Sequence, residues 1–154
     1  MRVPAVRDTM SSPVITISPE THLPAIQRLL REHGIRRLPV VENGEILGII
    51  TLGDVRNAFP SDAIMLSIVE LTNLLDQVLA RDIMRTHLVT IEAEASLVDA
   101  ARMMLEHRVS GLPVIEDGQL VGIITEADIF RAVVAGEVPF AAPAVMPNTV
   151  GASA

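Results

Sequence analysis

Short apolar segments rich in β-branched residues recur along the first third of the chain. They are VITI (14–17), LPVV (38–41) and ILGIIT (46–51). Such runs are typical of strands, and the last one, which is apolar almost throughout, predicts a strand buried on both faces. Asn43-Gly44 lies between the second and third runs, where this dipeptide predicts a tight hairpin turn.

A different spacing separates the first two runs. Leu23, Ile26 and Leu30 recur at helical intervals, which predicts a helix with one apolar face. Gly34 follows directly, in the position where glycine commonly ends a helix. A second helix is expected from residue 52, so the predicted order of elements is β-α-β-β-α.

The whole pattern occurs twice. Residues 7–58 align with residues 81–132 at a constant offset of 74 without a gap, and 21 of the paired residues are identical. The second copy contains LVTI (88–91), a helical pattern at Leu97, Ala101 and Met104, LPVI (112–115), Asp117-Gly118, LVGIIT (120–125) and a helix start at 126. One such unit is too small to bury its sheet. We therefore predict an α+β fold in which two units pack with pseudo-two-fold symmetry into one module.

Each copy begins with a related tetrapeptide, RDTM (7–10) or RDIM (81–84). We expect this tetrapeptide to fix the chain that enters each unit. The predicted ranges are 1–60 for the first unit, 61–79 for a helical linker, 80–135 for the second unit and 136–154 for a flexible tail.

The linker carries one narrow apolar stripe at helical spacing. Its members are Ile64, Ile68, Leu71, Leu75 and Val78. Such a stripe requires a partner surface, either on the same module or on a second copy of the chain. We expect a homodimer.

Composition narrows the classes of partner. The 154 residues carry a net charge of −7, which argues against nucleic acid because phosphate binding needs a surplus of Lys and Arg. Cysteine is absent, which excludes disulfides, thiolate nucleophiles and Cys-type zinc sites, and no other metal-ligand spacing occurs. No segment resembles a secretory signal or a membrane span, so we expect a cytoplasmic protein without a membrane partner.

The sequence contains none of the common catalytic signatures. Gly-x-x-x-x-Gly-Lys, Gly-x-Gly-x-x-Gly, Gly-x-Ser-x-Gly and His-Glu-x-x-His do not occur, and no nucleophile–base set is recognisable. A binding module is therefore better supported than an enzyme.

The most informative repeated pair is Thr51-x-x-Asp54 and Thr125-x-x-Asp128. Thr followed by an acidic residue at this spacing is typical of a helix N-cap, and the spacing alone is sufficiently explained by capping. The same groups also suit a ribose, because a carboxylate accepts hydrogen bonds from both hydroxyls of a cis-diol. Both interpretations remain open at this point.

Arg36-Arg37 mark a break in the repeat, because their equivalents are Ser110-Gly111. Two adjacent arginines are commonly solvated surface residues, but if a cleft lies here their guanidinium groups suit phosphates. His33 and His107 end matching helices, where a cation favours the helix dipole, and we interpret both as structural.

The order RDIM…LVTI…SLVDAARMMLEHRVSGLPVIEDGQLVGIITEADIF closely resembles the CBS (cystathionine β-synthase-type) domain. The first copy, RDTM…VITI…HLPAIQRLLREHGIRRLPVVENGEILGIITLGDV, resembles it equally well. The resemblance covers about residues 6–134. The linker resembles that of stand-alone two-CBS proteins similar to the acetoin-utilisation AcuB group.

This resemblance implies a paired module, called a Bateman module, with two clefts for adenosyl ligands (AMP, ADP, ATP or S-adenosylmethionine). It also assigns roles to residues: Thr51, Asp54, Thr125 and Asp128 to the ribose, Arg36 and Arg37 to phosphate, and Ile15, Thr16, Val89, Thr90 and Ser110 to the cleft wall beside the adenine. The ribose interpretation gains weight, although one carboxylate can both cap a helix and bind a ligand.

Two functions fit these features. The first is a regulatory sensor that passes ligand occupancy to a separate partner protein or through the dimer. The second is a constitutive dimerisation scaffold with empty clefts. Because only one copy carries the arginines, we expect unequal clefts, one preferring phosphorylated ligands and the other a less charged adenosyl group. The sequence leaves open which cleft the arginines reach.

Overall fold

The computed structural model describes residues 2–60 and 65–139. The first unit contributes helices α1 (Val6–Thr9), α2 (Leu23–His33) and α3 (Leu52–Asn57) and strands β1 (Arg37–Glu42) and β2 (Glu45–Thr51). Helix α4 (Ile68–Asp76) lies between the units in sequence. The second unit contributes helices α5 (Ala80–Ile83), α6 (Leu97–His107) and α7 (Glu126–Val134) and strands β3 (Ile91–Glu92), β4 (Gly111–Glu116) and β5 (Gln119–Thr125).

Two matching hairpins form the centres of the units. β1 and β2 are antiparallel with Val40 opposite Gly48, and β4 and β5 repeat this register 74 residues later. At the first turn, Asn43 and Gly44 have φ values of 54° and 82°, as a tight hairpin turn of this kind requires. The predicted hairpins and the α+β class are confirmed.

The predicted strands at 14–17 and 88–91 are largely wrong. Ile17 forms a single parallel bridge with Val40, and β3 covers only Ile91–Glu92. The Ile17 N–H donates to the carbonyl of Pro39 (3.0 Å), and continuing this ladder two residues earlier requires an N–H at Pro39. Proline has none, so the ladder ends and the backbone around Ile15 stays outside the sheet.

Helices α1 and α5, hereafter the exchanged helices, each pack into the opposite unit. Val6 is fully buried in the core of the second unit, and Ala80 is fully buried in the core of the first. The Val6 N–H donates to the carbonyl of Ala95 (2.7 Å), and the Ala80 N–H donates to that of Thr21 (2.8 Å). Each tetrapeptide therefore fixes the entering chain through contacts with the opposite unit.

Ion pairs accompany this exchange. Arg7 contacts two carboxylates of the second unit, Glu94 and Glu116, and Arg81 contacts Glu20 of the first. All of these side chains are exposed by a third or more. Exposed pairs contribute little to stability, so burial of apolar side chains is the main attachment of the exchanged helices.

Met10 and Met84, which end the two tetrapeptides, each lie on a glycine of the opposite unit. A Cβ atom on Gly122 would lie 2.9 Å from Cγ of Met10 and 3.0 Å from the carbonyl oxygen of Ser11. A Cβ atom on Gly48 would lie 2.8 Å from Sδ of Met84. The glycine in each apolar strand therefore makes room for the chain that crosses from the other unit.

The apolar stripe of the linker is divided. Leu75 and Val78 pack against the core of the first unit, whereas Ile68 is 86% exposed. Ile64 lies outside the described residues, as does most of the predicted flexible tail. The C-terminal part of the stripe, Leu75 and Val78, therefore packs within its own chain.

We predict that Gly122→Ala lowers the free energy of unfolding by about 1–3 kcal/mol, because the added methyl group displaces Met10 and the neighbouring backbone. Urea unfolding measures this change. Gly53→Ala in α3 is the control, since the nearest atom to its new Cβ is 3.6 Å away, and it should be neutral or slightly stabilising. Equal destabilisation by both substitutions would contradict the packing described for Met10.

Candidate functional site

Two clefts lie at the seam between the units, and each uses residues of both. Cleft A, of about 560 Å³, is lined by Ser11, Val14, Ile15, Arg36, Arg37, Ser110, Thr125, Asp128 and Arg131, among others. Cleft B, of about 760 Å³, is lined by Arg37, Thr51, Arg85, His87, Leu88, Val89, His107, Arg108 and Ser110, among others. Neither cleft can form from one unit alone.

The wall of each cleft begins where a parallel ladder ends. Ile15 lines cleft A and Val89 lines cleft B, and the missing N–H of the facing proline leaves the backbone at Ile15 unpaired by the sheet. Thr16 instead lines a separate cavity of about 280 Å³, and Thr90 is not part of the lining of cleft B. The side chains in a strand-like segment alternate, so Thr16 points away from the face that Ile15 presents.

At cleft A, Thr125 and Asp128 form the N-terminal cap of α7. Oδ2 of Asp128 accepts hydrogen bonds from the N–H of Thr125 (2.8 Å) and from its hydroxyl (3.0 Å). Oδ1 accepts from Nη2 of Arg131 at 2.5 Å. Asp128 is the only buried polar or charged residue in the described part of the chain.

At cleft B, Thr51 and Asp54 form the equivalent cap of α3. Oδ2 of Asp54 accepts from the N–H of Thr51 at 2.9 Å, and the Thr51 hydroxyl accepts from the N–H of Asp54 at 3.2 Å. Oδ1 of Asp54 accepts from Nε of Arg85 at 2.9 Å. Asp54 does not itself line cleft B, whereas Asp128 lines cleft A.

The capping and ligand interpretations therefore use different atoms of the same carboxylates. In both units Oδ2 caps the helix, which leaves Oδ1 and its arginine partner for other contacts. At Asp128 the two bonds of the cap use both lone pairs of Oδ2, so a ribose diol held by both oxygens would have to displace one of them. A diol at Oδ1 alone is compatible with an intact cap, because one carboxylate oxygen has two lone pairs.

Arg37 lies between the clefts and lines both, while Arg36 lines cleft A. The Arg37 guanidinium donates to the hydroxyl of Ser110, and a Cβ atom on Gly111 would lie 3.1 Å from its Cζ. Gly111 is the residue equivalent to Arg37. The break in the repeat therefore has a steric reason, since the side chain at 37 covers the surface from which its equivalent would project.

Burial lowers the pKa of Arg37, the neighbouring Arg36 lowers it further, and Glu126 acts in the opposite direction. Arginine nevertheless stays protonated at physiological pH. Arg37 is thus a permanent cation partly removed from water, where its attraction to an anion is stronger than at an open surface.

The cations at the clefts are not limited to Arg36 and Arg37. Besides Arg37, cleft B is lined by Arg85 and Arg108 and by His87 and His107. His107 had been interpreted as purely structural. The alignment of the two copies already shows these extra cations, because Arg85 aligns with Ser11 and Arg108 aligns with Gly34.

Other site types find no support within residues 2–60 and 65–139. No group of three or more His, Asp or Glu side chains in these ranges is arranged to hold a metal ion. No helix in the same ranges is both long enough and apolar enough to cross a membrane.

Comparison with known sequences identifies relatives of this arrangement. The chain is 30% identical over 128 residues to the CBS domain-containing protein YhcV of Bacillus subtilis, which covers 81% of this chain and 82% of that protein. It is 34% identical over 118 residues to inosine-5'-monophosphate dehydrogenase of Korarchaeum cryptofilum, covering 76% of this chain but only 22% of the enzyme. The similarity to that enzyme is therefore confined to a fraction of its length.

Solved structures share the fold. The CBS domain pair of protein MJ0100, in complex with 5-methylthioadenosine and S-adenosyl-L-methionine, superposes with a TM-score of 0.72 at 27% identity, covering 89% of this chain and 100% of that one. CBSX2 in complex with AMP gives 0.71 at 25% identity, covering 87% and 98%. A proposed acetoin utilization protein (AcuB) from Vibrio cholerae gives 0.72 at 26% identity, covering 87% and 93%.

The CBS domain model matches twice, over residues 6–61 and 80–135, the two segments that the internal repeat relates. Together the matches span most of the chain. The resemblance read from the repeated motifs is confirmed, and the chain belongs to the CBS domain family as a tandem CBS pair.

Proposed function

We propose that the protein binds adenosyl ligands in clefts A and B and that ligand occupancy regulates a partner protein or the dimer. The observation that carries the proposal is the composition of cleft A. Cleft A combines three features: backbone at Ile15 that is not hydrogen-bonded to the sheet, the Oδ1 atom of Asp128, and two adjacent arginines, Arg36 and Arg37. The complexes of MJ0100 with 5-methylthioadenosine and S-adenosyl-L-methionine and of CBSX2 with AMP support it.

Each part of an adenosyl ligand has a suitable group in cleft A. The purine lies between the apolar side chains of Val14 and Ile15 and their unpaired backbone, which supplies hydrogen bonds. The ribose contacts Thr125 and Asp128, and phosphates contact Arg36 and Arg37 as charge-assisted pairs. The described residues offer this cleft no nucleophile–base set, and we propose binding rather than catalysis.

Regulation follows from the position of the clefts at the seam. A ligand that contacts Ile15 of one unit and Thr125 of the other favours those orientations of the units that fit it. A ligand shifts such an equilibrium only by its difference in affinity for the two states. Arg37, which lines both clefts, is placed to make occupancy of one affect the other.

We also propose a homodimer, but through a surface other than the linker stripe. The neighbouring helices α6 and α7 expose Leu105, Phe130 and Val134 by 80%, 63% and 89%. We call these three residues the apolar face. Their equivalents in the first unit are Arg31, Arg56 and Pro60. A two-fold contact through the apolar face buries hydrophobic surface against itself without burying charge, whereas the first unit would place arginines against arginines.

The ligand proposal predicts stabilisation by adenosyl compounds. AMP, ADP, ATP and S-adenosylmethionine should be compared in a thermal-shift assay, because a ligand that binds only the native state adds about 2.7 kcal/mol at 100 times its Kd. At least one compound should raise the Tm in a concentration-dependent way. If all four leave the Tm unchanged at millimolar concentration, the scaffold alternative with empty clefts is favoured.

The ribose assignment predicts that the double variant Asp54→Asn/Asp128→Asn loses about 10- to 100-fold in nucleotide affinity, as expected for loss of a charged hydrogen-bond partner. Asparagine keeps an acceptor for the helix cap, so the variant should stay folded. Asp99→Asn is the matched control, since Asp99 lies in the first turn of α6 and lines neither cleft. Unchanged affinity in the double variant would leave capping as the sufficient role.

The dimer proposal predicts that Leu105→Arg/Phe130→Arg, which copies Arg31 and Arg56 of the first unit, weakens self-association by more than about tenfold. Sedimentation equilibrium measures this change, and the stability of the single chain should be unaffected because both residues are exposed. Ile68→Lys in α4 is the comparison variant. Loss of association only in that variant would assign the interface to the linker stripe.

A further inference from the structure

We infer that Arg85 is a gate on cleft B that disfavours a nucleoside unless phosphate is attached to it. This inference rests on the proposed binding of adenosyl ligands. Its basis is the bond between Nε of Arg85 and Oδ1 of Asp54, at 2.9 Å. That oxygen is the atom of Asp54 left for a ribose, since Oδ2 caps α3. In the structure, Arg85 therefore holds the oxygen that the proposed ribose contact needs.

The two clefts differ in this respect. The residue equivalent to Arg85 in cleft A is Ser11, and the two are held identically by the backbone. Arg85 exchanges two hydrogen bonds with Ile49, at 2.9 and 3.0 Å, and Ser11 exchanges two with Ile123, at 2.9 and 3.1 Å. Only the side chains differ. Asp128 is among the residues that line cleft A, whereas Asp54 is not among those that line cleft B.

Arg131 also contacts Oδ1 of Asp128 and lines cleft A, but it belongs to α7 itself. It lies one turn after Asp128 on the same helix, so its contact is local to α7. The phosphate cations of cleft A, Arg36 and Arg37, are separate side chains that contact neither Asp128 nor each other in the hydrogen bonds of the structure. In cleft B the arginine that pairs with the ribose carboxylate, Arg85, comes from the crossing segment, where its backbone is paired with Ile49.

The charges show why phosphate opens the gate. The Arg85 side chain is 65% exposed and Asp54 only 10%, so the arginine is the mobile partner of a weak, solvent-screened pair. A phosphate competes well for a guanidinium because it carries more charge than a carboxylate and binds through two oxygens. Arg37 and Arg108 line the same cleft and draw phosphate into it. A phosphorylated ligand therefore forms a contact between its phosphate and Arg85, which leaves Asp54 available to the ribose. Adenosine must break the pair of Arg85 and Asp54 and offers Arg85 no phosphate in return.

The test is Arg85→Ser, which installs the residue that the chain itself uses at position 11 in the same backbone pairing. Calorimetric titration with adenosine and with ATP is performed on the parent protein, on this variant and on Arg56→Ala. Arg56→Ala removes a nearby exposed arginine that lines neither cleft. Cleft A is the same in all three proteins, so differences between parent and variant report on cleft B.

We expect Arg85→Ser to bind adenosine about tenfold more tightly at one site, because Asp54 no longer has to be separated from Arg85. The variant should bind ATP about tenfold more weakly, because the charge-assisted contact between Arg85 and phosphate is lost. Arg56→Ala should match the parent. If the variant binds ATP more weakly but adenosine as the parent does, Arg85 only contacts phosphate, and the proposed gating of cleft B is wrong. Unchanged binding of both ligands would overturn any role of Arg85. If the parent binds neither ligand, the proposed function itself fails, which is a separate and recognisable result.

Discussion

The exchange of the helices α1 and α5 is the constraint on which both clefts depend. Val6 fills the core of the second unit and Ala80 that of the first, so neither core is complete without a segment from the other half of the chain. The exchanged segments then run past the glycines Gly122 and Gly48, where a larger residue would collide with them. This crossing places Ser11 and Arg85 at the cleft walls. The geometry of the binding surface is therefore set by core packing.

Two local features turn this scaffold into a pair of unequal sites. Pro39 has no N–H to donate, so the parallel ladder ends at Ile17 and the backbone at Ile15, beside cleft A, has no partner in the sheet. Arg37 lies over Gly111, so the cation that serves both clefts is present once rather than twice. The two clefts are related by the pseudo-symmetry of the units. Residues that the two copies do not share, such as Arg37, make the clefts differ.

Much of the fold could be predicted because its determinants are local. The spacing of Leu23, Ile26 and Leu30 and the Asn43-Gly44 turn each act over a few residues, and the structure confirms them. The exchange of α1 could not be predicted this way, because it joins residues about ninety positions apart, such as Val6 and Ala95, and no local spacing specifies that contact. The pairing of Arg85 with Asp54 depends on that crossing and was missed for the same reason. The proposed ligand roles of the Thr-x-x-Asp residues come from family resemblance, since capping alone explains their spacing.

We propose that each chain holds two complete adenosyl sites, each built from both units. Calorimetric stoichiometry with ATP tests it most directly, because the number of bound ligands per chain does not depend on how tightly either site binds once both are saturated. The account predicts two ATP molecules per chain with different affinities. A single ATP per chain, or none at millimolar concentration, would contradict it.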